Sequence, residues 1–435
     1  MKVSNWGNYP VIDATIQRAS TLNNGCVMGI PRGLGRCYGD AALSEHIIAT
    51  PSLRRILSFD TTNGIIRAEA GLSIKELLTI IIPQGWFMPV TPGTKFVSLG
   101  GAVAADVHGK NHHGEGSIAS YVEELHLLLP SGQRLACSPQ SNSEIFYATI
   151  GGMGLTGLIT DLSLRLKPIE SSYISQDTYK ARNLSEVIAL LDQYQEVTYN
   201  VAWIDCLSKG KQEGRSLLMV GEHATREQLA PKMQTEPLAL ANKGRITVPF
   251  ALPAFSLNRF TIGAFNTLYY HKQFKTHTQS LSDYDSFFYP LDIIHHWNRI
   301  YGKPGFTQYQ LVIPREAGRE GLLQILRKVR EAGFGSFLAV LKLLGPSSDG
   351  LISFPMEGYT LTLDFPITKR LFALLDELDA MVLDYGGRVY LAKDVRLPAD
   401  SFRKMYPRWE EFLAIRQKVD PEGKLHSLQS RRLDL

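Results

Sequence analysis

Residues 31–40 read Pro31-Arg32-Gly33-Leu34-Gly35-Arg36-Cys37-Tyr38-Gly39-Asp40, and no other stretch says more about how this chain folds. It places three glycines within seven residues and two arginines beside them. Because glycine lacks a β-carbon, such a loop can adopt positive φ and turn successive N–H groups toward one concavity. Arginine adds a planar fork that matches the oxygens of a phosphate group. The stretch therefore predicts a loop that approaches a polyanion closely.

Two further glycine-rich segments follow within the first 160 residues. One runs from Thr91-Pro92-Gly93-Thr94 to Ser98-Leu99-Gly100-Gly101, and the other is Gly151-Gly152-Met153-Gly154-Leu155-Thr156-Gly157. Together, the three loops predict a region that wraps a large phosphorylated cofactor. The last segment also matches the GxGxxG pattern of Rossmann folds, which requires a strand before it and a helix after it. Here a helix-like segment precedes and an alternating apolar run follows, which favours a tight turn near the cofactor.

Length and composition bound the class of protein. A chain of 435 residues predicts two domains, and 44% hydrophobic with 20% charged residues is an ordinary globular composition. A net charge of +4 gives no support to nucleic-acid binding. Cys26, Cys37, Cys137 and Cys206 lie far apart without a CxxC pair, which argues against structural zinc or disulfides and favours a reducing compartment.

The apolar runs predict no targeting or membrane-spanning segment. The first ten residues lack the apolar core of a signal peptide, and no apolar run reaches the roughly 18 residues that a bilayer requires. We therefore expect a cytoplasmic protein, either soluble or peripheral at the inner face of the plasma membrane.

The pattern of apolar residues predicts three parts: residues 1–171, 172–387 and 388–435. In the first part, strands are expected at 45–70, 122–129 and 158–166, and helices at 73–82, with a capping box, and at 143–150. In the second, helices at 184–194, 316–332 and 369–383 alternate with strands at 306–313, 337–344 and 359–365, which indicates an antiparallel α+β sheet. A helical segment at 401–418 is expected in the third.

The segment from His108 to Gly116 combines three histidines with Glu115, and these are side chains that bind metals. Glycines at 109, 114 and 116 argue against a helix, so the spacing of His108 and His112 loses its meaning. A metal site and a purely structural loop remain alternatives. The favoured interpretation is a loop that places His108 and Lys110 over a ligand.

The stretch between Glu236 and Asp283 contains no acidic residue. Basic and aromatic residues are interleaved there, namely Lys243, Arg245, Arg259, Lys272 and Lys275 with Phe250, Phe255, Phe260, Phe265, Tyr269 and Tyr270. The pattern is typical either of an exposed mobile loop or of a peripheral contact with anionic lipid.

Polar side chains also interrupt apolar runs late in the chain. Strand alternation places Gln308 and Gln310 on one face, and Lys342 and Lys393 lie within similar runs. Buried amides and amines need partners. These residues therefore either bind one another or line a pocket for a polyhydroxylated ligand.

The motifs together resemble one known family. RGLGRCYGD, VSLGGAVAADVHGKNHH, GGMGLTGLI, WNRIYGKPGFTQYQLVIP, LTLDFPI and YLAKDVR, in this order from about residue 30, resemble the decaprenylphosphoryl-β-D-ribose 2′-oxidases. These belong to the wider vanillyl-alcohol-oxidase type of flavoproteins. The resemblance implies a two-domain α+β fold with a bipartite FAD-binding domain, to which the C-terminal part returns, and an antiparallel-sheet substrate domain.

The resemblance also implies the residues that bind the cofactor. FAD would contact Pro31, Arg32, Gly33, Leu34, Gly35, Arg36, Cys37, Tyr38, Gly39, Asp40, Ala41, Gly93, Ser98, Leu99, Gly100, Gly101, Ala105, Asp106, Val107, His108, Ile159 and Tyr390. Many relatives attach flavin through a histidine in the first glycine loop. Residues 31–41 hold no histidine, so noncovalent FAD is expected.

The implied activity is oxidation of the ribosyl 2′-hydroxyl of a polyprenylphosphoryl-β-D-ribose to the 2′-keto sugar. This is the first half of a 2′-epimerisation that supplies an arabinose donor for glycan synthesis. Lys393, Tyr38 and His108 are the candidate bases, and the substrate pocket would also contain Lys110, Trp203, Tyr301, Gln308, Gln310, Lys342 and Thr362. Thr362 stands where mycobacterial enzymes have cysteine, which predicts no thiol chemistry at the site and insensitivity to inhibitors that trap that cysteine.

The implied partners are an NAD(P)H-dependent short-chain reductase that completes the epimerisation and a quinone or oxygen as electron acceptor. Two alternatives stay open at this point. One is an FAD-dependent oxidase of a soluble alditol or aldonolactone, and the other is a flavin-free metal hydrolase built on the His108–His113 loop.

Overall fold

A computed structural model describes residues 1–22, 27–241, 244, 246–253 and 256–435. The strands are β1 (Lys2–Val3), β2 (Ile12–Asp13), β3 (Thr15–Arg18), β4 (Ile30–Arg32), β5 (His46–Ala49), β6 (Ile56–Asp60), β7 (Ile65–Glu69), β8 (Trp86–Phe87), β9 (Val122–Leu128), β10 (Arg134–Cys137), β11 (Leu158–Arg165), β12 (Lys167–Pro168), β13 (Tyr173–Ala181), β14 (Tyr199–Ile204), β15 (Ser216–His223), β16 (Ile246–Thr247), β17 (His277–Asp283), β18 (Ile294–His295), β19 (Phe306–Ile313), β20 (Ala339–Leu344), β21 (Gly358–Pro366) and β22 (Arg388–Val389). The helices are α1 (Ile74–Ile81), α2 (Leu99–Ala104), α3 (His112–Glu115), α4 (Ser143–Thr149), α5 (Leu184–Gln193), α6 (Pro231–Gln234), α7 (Arg259–His271), α8 (Tyr284–Phe288), α9 (Gly318–Glu331), α10 (Lys369–Asp384), α11 (Ala399–Met405), α12 (Trp409–Val419) and α13 (Leu428–Arg432).

The N-terminal part is built on two sheets. Strands β3, β5 and β4 form a parallel sheet, and an antiparallel sheet has the order β10-β9-β11-β7-β6. Helices α1 and α2 pack on the antiparallel sheet and bury Leu77, Leu99 and Leu162 in one core. The capping box predicted for α1 is present, since Ser73 accepts a hydrogen bond from the backbone N–H of Glu76, whose carboxylate accepts one in return.

The second part is an antiparallel sheet of order β17-β13-β15-β14-β20-β21-β19-β22. Helices α5, α9 and α10 cover one face, and their apolar side chains share a core with Leu311, Leu341 and Leu361 of the sheet. The mixed α+β class expected from the sequence is confirmed. The opposite face of β19 carries Gln308 and Gln310, as the alternation predicts, and both amides face a cavity.

The C-terminal segment returns to the N-terminal part. A bridge joins Leu425 to Gly29, the backbone N–H of Leu428 donates to the carbonyl oxygen of Leu43, and Arg432 forms ion pairs with Asp40 and Asp394. The boundary predicted between 387 and 388 falls at the start of β22, which pairs with β19 in the large sheet.

Two local predictions were wrong. The helical segment expected at 401–418 is two helices, α11 and α12, with Pro407 between them, because proline removes a helical donor and clashes with the preceding turn. The His108–Gly116 segment contains one helical turn, α3, despite Gly114. That turn ends at Gly116, whose φ of 74° suits glycine. Within the described residues, no helix is long and apolar enough to cross a membrane.

Candidate active site

A cavity of about 600 Å³ lies between the three glycine-rich segments and the free face of the large sheet. This size is typical of sites that enclose a small molecule. Its walls come from the loops at 31–42, 91–101 and 153–159, from the 105–110 segment, and from strands β14, β19, β20 and β21. Tyr390, Ala392 and Lys393 of the C-terminal part close it.

The first glycine loop is fixed between two other segments of the chain. The backbone N–H of Tyr38 donates to the carbonyl oxygen of Ala392, at 3.1 Å. A β-carbon at Gly39 would collide with the carbonyl oxygen of Asp394, and one at Gly33 would collide with the hydroxyl of Ser98. Glycine is therefore required at both positions by close packing, and this packing brings the loop against the C-terminal segment.

The cavity brings together most of the predicted site residues. It is lined by Pro31, Gly33, Leu34, Gly35, Arg36, Cys37, Tyr38, Ala41, Gly93, Ser98, Gly100, Gly101, Ala105, Val107, His108, Lys110, Ile159, Trp203, Gln308, Gln310, Lys342, Thr362, Tyr390 and Lys393.

Other predicted residues lie behind the wall. Arg32 donates to the side chain of Asn5 and the carbonyl oxygen of Ser4, and Asp106 accepts from Ser348. Leu99 packs in the core beneath the second glycine loop, and Gly39 packs against Asp394.

Asp40 belongs to a buried ion cluster rather than to the cavity wall. Its carboxylate accepts two hydrogen bonds from Arg432, at 3.1 and 2.8 Å, and the same guanidinium donates to Asp394 at 2.8 Å. The two carboxylates raise the pKa of Arg432 against the effect of its burial. The cluster ties the first glycine loop to both ends of the C-terminal part.

Lys393 is positioned by an aromatic ring and a buried carboxylate. Its ammonium lies 4.0 Å from the centroid of the Tyr38 ring, a cation–π distance. Burial lowers the pKa of Lys393 to about 8, and the carboxylate of Asp364 and the thiol of Cys37 oppose that shift. A lysine with this pKa exchanges its proton near neutral pH.

Asp364 is held by two of the predicted pocket residues. Its carboxylate accepts from the Gln308 amide at 2.6 Å and from the Tyr301 hydroxyl at 3.1 Å. Burial raises the pKa of Asp364 to about 7, against the effect of these hydrogen bonds and of Lys393. Tyr301 thus contributes through Asp364 and does not itself line the cavity.

His108 is a buried, neutral histidine with one free ring nitrogen. Its Nε2 lies 2.8 Å from the Gln310 amide nitrogen, which also donates to Thr360. Burial, and then the charge of Lys342, lower the pKa of His108 well below its usual range. Because Nε2 accepts from the Gln310 amide, the proton of the neutral ring lies on Nδ1, which has no hydrogen-bond partner among the described residues and can donate one hydrogen bond to a ligand.

Lys110 and Lys342 add two more half-buried cations to the same cavity. The ammonium of Lys110 donates to the carbonyl oxygen of Phe287 and lies 4.0 Å from the centroid of that ring. Burial and the neighbouring Lys342 lower the pKa of Lys110 to about 7, and burial and Lys393 lower the pKa of Lys342 to about 8. Such mutual repulsion is relieved when an anion binds between the ammonium groups.

The absence of cysteine at position 362 does not remove thiols from the cavity. Thr362 lies in the wall opposite Gln310 in the register of β19 and β21, but Cys37 lines the same cavity. The expected absence of thiol chemistry therefore depends on the state of Cys37 and stays a prediction. Burial raises the pKa of the Cys37 thiol, which leaves little reactive thiolate near neutral pH.

In the histidine loop, residues 108–116, His112, His113 and Glu115 form hydrogen bonds to other parts of the protein. His113 lies 2.8 Å from the carbonyl oxygen of Val197, His112 accepts from the backbone N–H of Gly345, and Glu115 accepts from Lys167. Among the described residues, no three such side chains are grouped as metal ligands. His108 and Lys110 do line the cavity, as the favoured interpretation of this loop predicts.

Sequence reasoning missed several residues of the site. Trp6 lines the cavity, and the centroid of its ring lies 4.0 Å from the Arg36 guanidinium carbon. Asp292 lines the cavity beside the second glycine loop, where its carboxylate accepts a hydrogen bond from the Thr94 hydroxyl. The buried Asp364 was also missed. Its place two residues after Thr362 in the strand LTLDFP was an available signal, because alternate residues share a face.

The fold and the cavity define an FAD-binding oxidase. The family of FAD binding domains matches residues 17–138, and the D-arabinono-1,4-lactone oxidase family matches residues 359–433. The chain belongs to the vanillyl-alcohol-oxidase type of FAD-binding oxidases and is an FAD-dependent oxidoreductase that acts on alcohol or lactone groups. The metal hydrolase alternative is therefore wrong.

Three relatives extend over most of the chain. The decaprenylphosphoryl-β-D-ribose oxidase of Mycolicibacterium smegmatis is 39% identical over 411 residues, which cover 93% of this chain and 89% of the relative. An uncharacterized protein of Streptomyces coelicolor is 33% identical over 374 residues, 84% of this chain and 100% of its own. The L-gulonolactone oxidase of Bos taurus is 24% identical over 405 residues, with 90% and 86% covered.

The residues of the cavity fit FAD. Gly93 would have nothing within 4 Å of an added β-carbon, so the second glycine loop leaves open space beside the wall. The unpartnered Nδ1 of His108 supplies a polar contact. Arg36 and the exposed backbone of the first glycine loop suit a pyrophosphate, and the apolar wall of Val107, Ile159 and Tyr390 suits a flat ring system.

Proposed function

We propose that this protein oxidises the ribosyl 2′-hydroxyl of a polyprenylphosphoryl-β-D-ribose to the 2′-keto sugar. The observation that carries this proposal is that one cavity of an FAD-binding oxidase collects the polar side chains of Lys110, Lys342, Lys393, Gln308, Gln310 and His108. The Mycolicibacterium relative, named for this lipid-linked sugar, supports the same substrate. FAD, when bound, supplies the acceptor for the hydride that leaves C2 of the sugar.

Lys110 and Lys342 are proposed to bind the phosphate of the substrate. Both ammonium groups line the cavity, where desolvation lowers their pKa values, with a further contribution from Lys342 at Lys110 and from Lys393 at Lys342. A phosphodiester between them would restore the charged form of both and form charge-assisted hydrogen bonds. A neutral sugar would leave these charges uncompensated, which favours a phosphorylated substrate.

Gln308 and Gln310 are proposed to orient the sugar hydroxyls. Each amide nitrogen is held by a protein acceptor or by His108, so the amide planes are fixed before a ligand arrives. Fixed hydrogen-bonding groups lose little side-chain entropy on binding. The Trp203 ring, whose Nε1 donates to the carbonyl oxygen of Phe337 at 3.0 Å, adds an apolar face.

Lys393 is the proposed base that accepts the hydroxyl proton. Oxidation of a carbinol releases one proton from oxygen and one hydride from carbon, so a base must be available at the hydroxyl. Among the three candidates, Lys393 has a pKa of about 8, near the pH at which enzymes work, whereas burial raises the pKa of Tyr38 well above 10. His108, with a strongly lowered pKa, is proposed to donate a hydrogen bond from Nδ1 as a neutral ring, because its Nε2 accepts from Gln310.

We also propose that FAD is bound noncovalently. The first glycine loop, residues 31–41, offers no histidine for attachment. Acid precipitation of the purified protein should release all the flavin into the supernatant, as followed by absorbance. Flavin that stays with the precipitated polypeptide would contradict the proposal.

A second candidate substrate is a soluble alditol or aldonolactone. The match of residues 359–433 to the D-arabinono-1,4-lactone oxidase family and the bovine relative favour it.

For the lipid-linked substrate, we propose two further partners. A separate NAD(P)H-dependent short-chain reductase would reduce the ketone, and a quinone or oxygen would accept the electrons from the reduced flavin.

The deciding experiment compares substrates on one preparation. The FAD-loaded protein is given farnesylphosphoryl-β-D-ribose or L-gulono-1,4-lactone with a dye as electron acceptor, and products are followed by mass spectrometry. We expect farnesylphosphoryl-β-D-ribose to lose two hydrogen atoms and the lactone to remain unchanged. A Lys342→Met variant should raise KM for this substrate at least tenfold, and exposed Lys404→Met should not. Turnover of the lactone alone would exclude the lipid-linked substrate.

A further inference from the structure

Helix α7 and its flanks expose large apolar side chains, which we name the α7 surface: Phe250, Phe260, Leu268 and Phe274. Their exposed fractions are 65%, 80%, 73% and 93%. A single exposed apolar residue is ordinary, but several large exposed apolar residues on one helix and its flanks mark an interaction site.

The exposed side chains follow the face of α7 that points away from the protein. Ile262, Asn266 and Tyr270 recur at four-residue intervals and are buried. Phe260, Ala264 and Leu268 recur at the same interval two positions earlier, and all three are exposed. In a helix of 3.6 residues per turn, these two rows lie on opposite sides. The helix therefore buries one row of side chains against the protein and exposes a second row that is itself apolar.

The segment of chain that carries the α7 surface is positively charged. No acidic residue occurs in the sequence between Glu236 and Asp283, and Lys272 and Lys275 are exposed beside Phe274. Lys243, Arg245 and Phe255, which the sequence groups with this segment, lie outside the described residues. Exposed aromatic rings with neighbouring lysines are complementary to an anionic lipid interface, where the rings enter the headgroup region and the ammonium groups bind phosphate.

Two aromatic rings of α7 connect this helix to the cavity. Phe265 stacks on Tyr269 with ring centroids 5.7 Å apart, and Tyr269 contacts the Trp203 ring at 4.7 Å. Tyr269, Trp203 and Lys272 all line the cavity, and the ammonium of Lys272 lies 3.6 Å from the Tyr269 centroid. A row of aromatic rings thus leads from the outer side of α7 to the site of oxidation.

We propose that the α7 surface docks on an anionic lipid bilayer and that the aromatic row carries the apolar chain of the substrate between bilayer and cavity. The second half of this inference rests on the proposed lipid-linked substrate. The first half depends only on the exposed apolar and basic residues. The sugar phosphate would enter the cavity while its polyprenyl chain remained in contact with α7 and lipid.

The test measures binding of the FAD-loaded full chain to vesicles by flotation, without substrate. Wild-type protein should float with phosphatidylglycerol-containing vesicles and remain unbound with pure phosphatidylcholine. The triple variant Phe260→Ser, Leu268→Ser, Phe274→Ser should lose about tenfold or more of this binding, because each side chain forfeits apolar burial. The matched control Val11→Ser, Leu57→Ser removes apolar side chains exposed on other elements and should bind as wild type.

Turnover measured beside binding separates this inference from the proposed function. The triple variant should oxidise a short-chain, detergent-solubilised substrate at the wild-type rate and the same sugar on a long polyprenyl chain in vesicles more slowly. Vesicle binding that survives the triple substitution overturns the docking proposal. The docking proposal is also overturned if the wild type forms a dimer and binds no vesicles, and if the triple substitution dissociates that dimer. This result would assign the surface to contact with a second copy of the chain. If the wild type oxidised neither the short-chain substrate nor the long-chain substrate, the proposed function would be contradicted instead.

Discussion

At the scale of single residues, the site depends on one carboxylate among several buried cations. Asp364 raises the pKa of Lys393 against the burial that lowers it to about 8, and Gln308 and Tyr301 hold Asp364 in place. Sequence patterns could predict that Gln308, Gln310 and Lys393 meet at a pocket. They could not reveal which group sets the protonation of Lys393, because Asp364 and Lys393 are joined only by the folding of two distant segments.

The residue-scale prediction concerns Asp364→Asn. Loss of the negative charge should lower the pKa of Lys393 by about one pH unit, since an opposite charge nearby favours the charged lysine. If neutral Lys393 accepts the proton, the rising limb of kcat/KM against pH should move to lower pH. The gain in activity should be largest between about pH 7 and 8, because wild-type Asp364, with a pKa of about 7, carries its charge there and is already neutral at more acidic pH. The profile is measured with saturating FAD. Asp384→Asn, at the exposed end of α10, should leave the profile unchanged. A limb that stays in place while only KM rises would assign Asp364 a purely structural role.

At the scale of elements, local patterns predicted best where periodicity and capping act within one segment. The helix α1 with its capping box and the strand β19 lie where the sequence indicates. The pattern failed at α11 and α12, where Pro407 outweighs helical periodicity, and at α3, where a helical turn forms despite its glycine. The close packing of the first glycine loop on the C-terminal segment was beyond such patterns, because nothing local in either segment encodes it.

The element-scale prediction uses that packing. Gly39→Ala places a methyl group against the carbonyl oxygen of Asp394 and should force the first glycine loop away from Lys393. Overpacking of this kind costs about 1–3 kcal/mol of the free energy of unfolding. We expect a lower melting temperature and a lower ratio of flavin to protein absorbance. Gly114→Ala is the control, since its β-carbon would meet no atom within 4 Å. Full FAD content in Gly39→Ala would show that the loop can shift without loss of the site.

At the scale of the whole molecule, the charged groups of the cavity lower the free energy of unfolding while they provide contacts for a ligand. Lys110, Lys342 and Lys393 line the cavity between the two domains with lowered pKa values. The composition of the chain gives no hint of this concentration of charge, because the net charge of +4 is small for 435 residues. Functional sites commonly hold groups that would be more stable elsewhere.

Removal of one such charge should therefore stabilise the protein. The pKa of Lys342 falls from 10.5 to about 8 on folding, so at pH 7 the folded state carries a penalty that Lys342→Met removes, about 3 kcal/mol. Between pH 8 and 10.5 the unfolded chain holds more protons at this site than the folded one, so the stability of the wild type rises with pH and the gain from the substitution shrinks. Urea unfolding at pH 7 and pH 10, with and without FAD, measures both effects. The exposed Lys404→Met should show no such gain. A Lys342→Met variant that is less stable than the wild type at pH 7 would mean that the ammonium is satisfied within the cavity, and the argument for an anionic substrate there would fail with it.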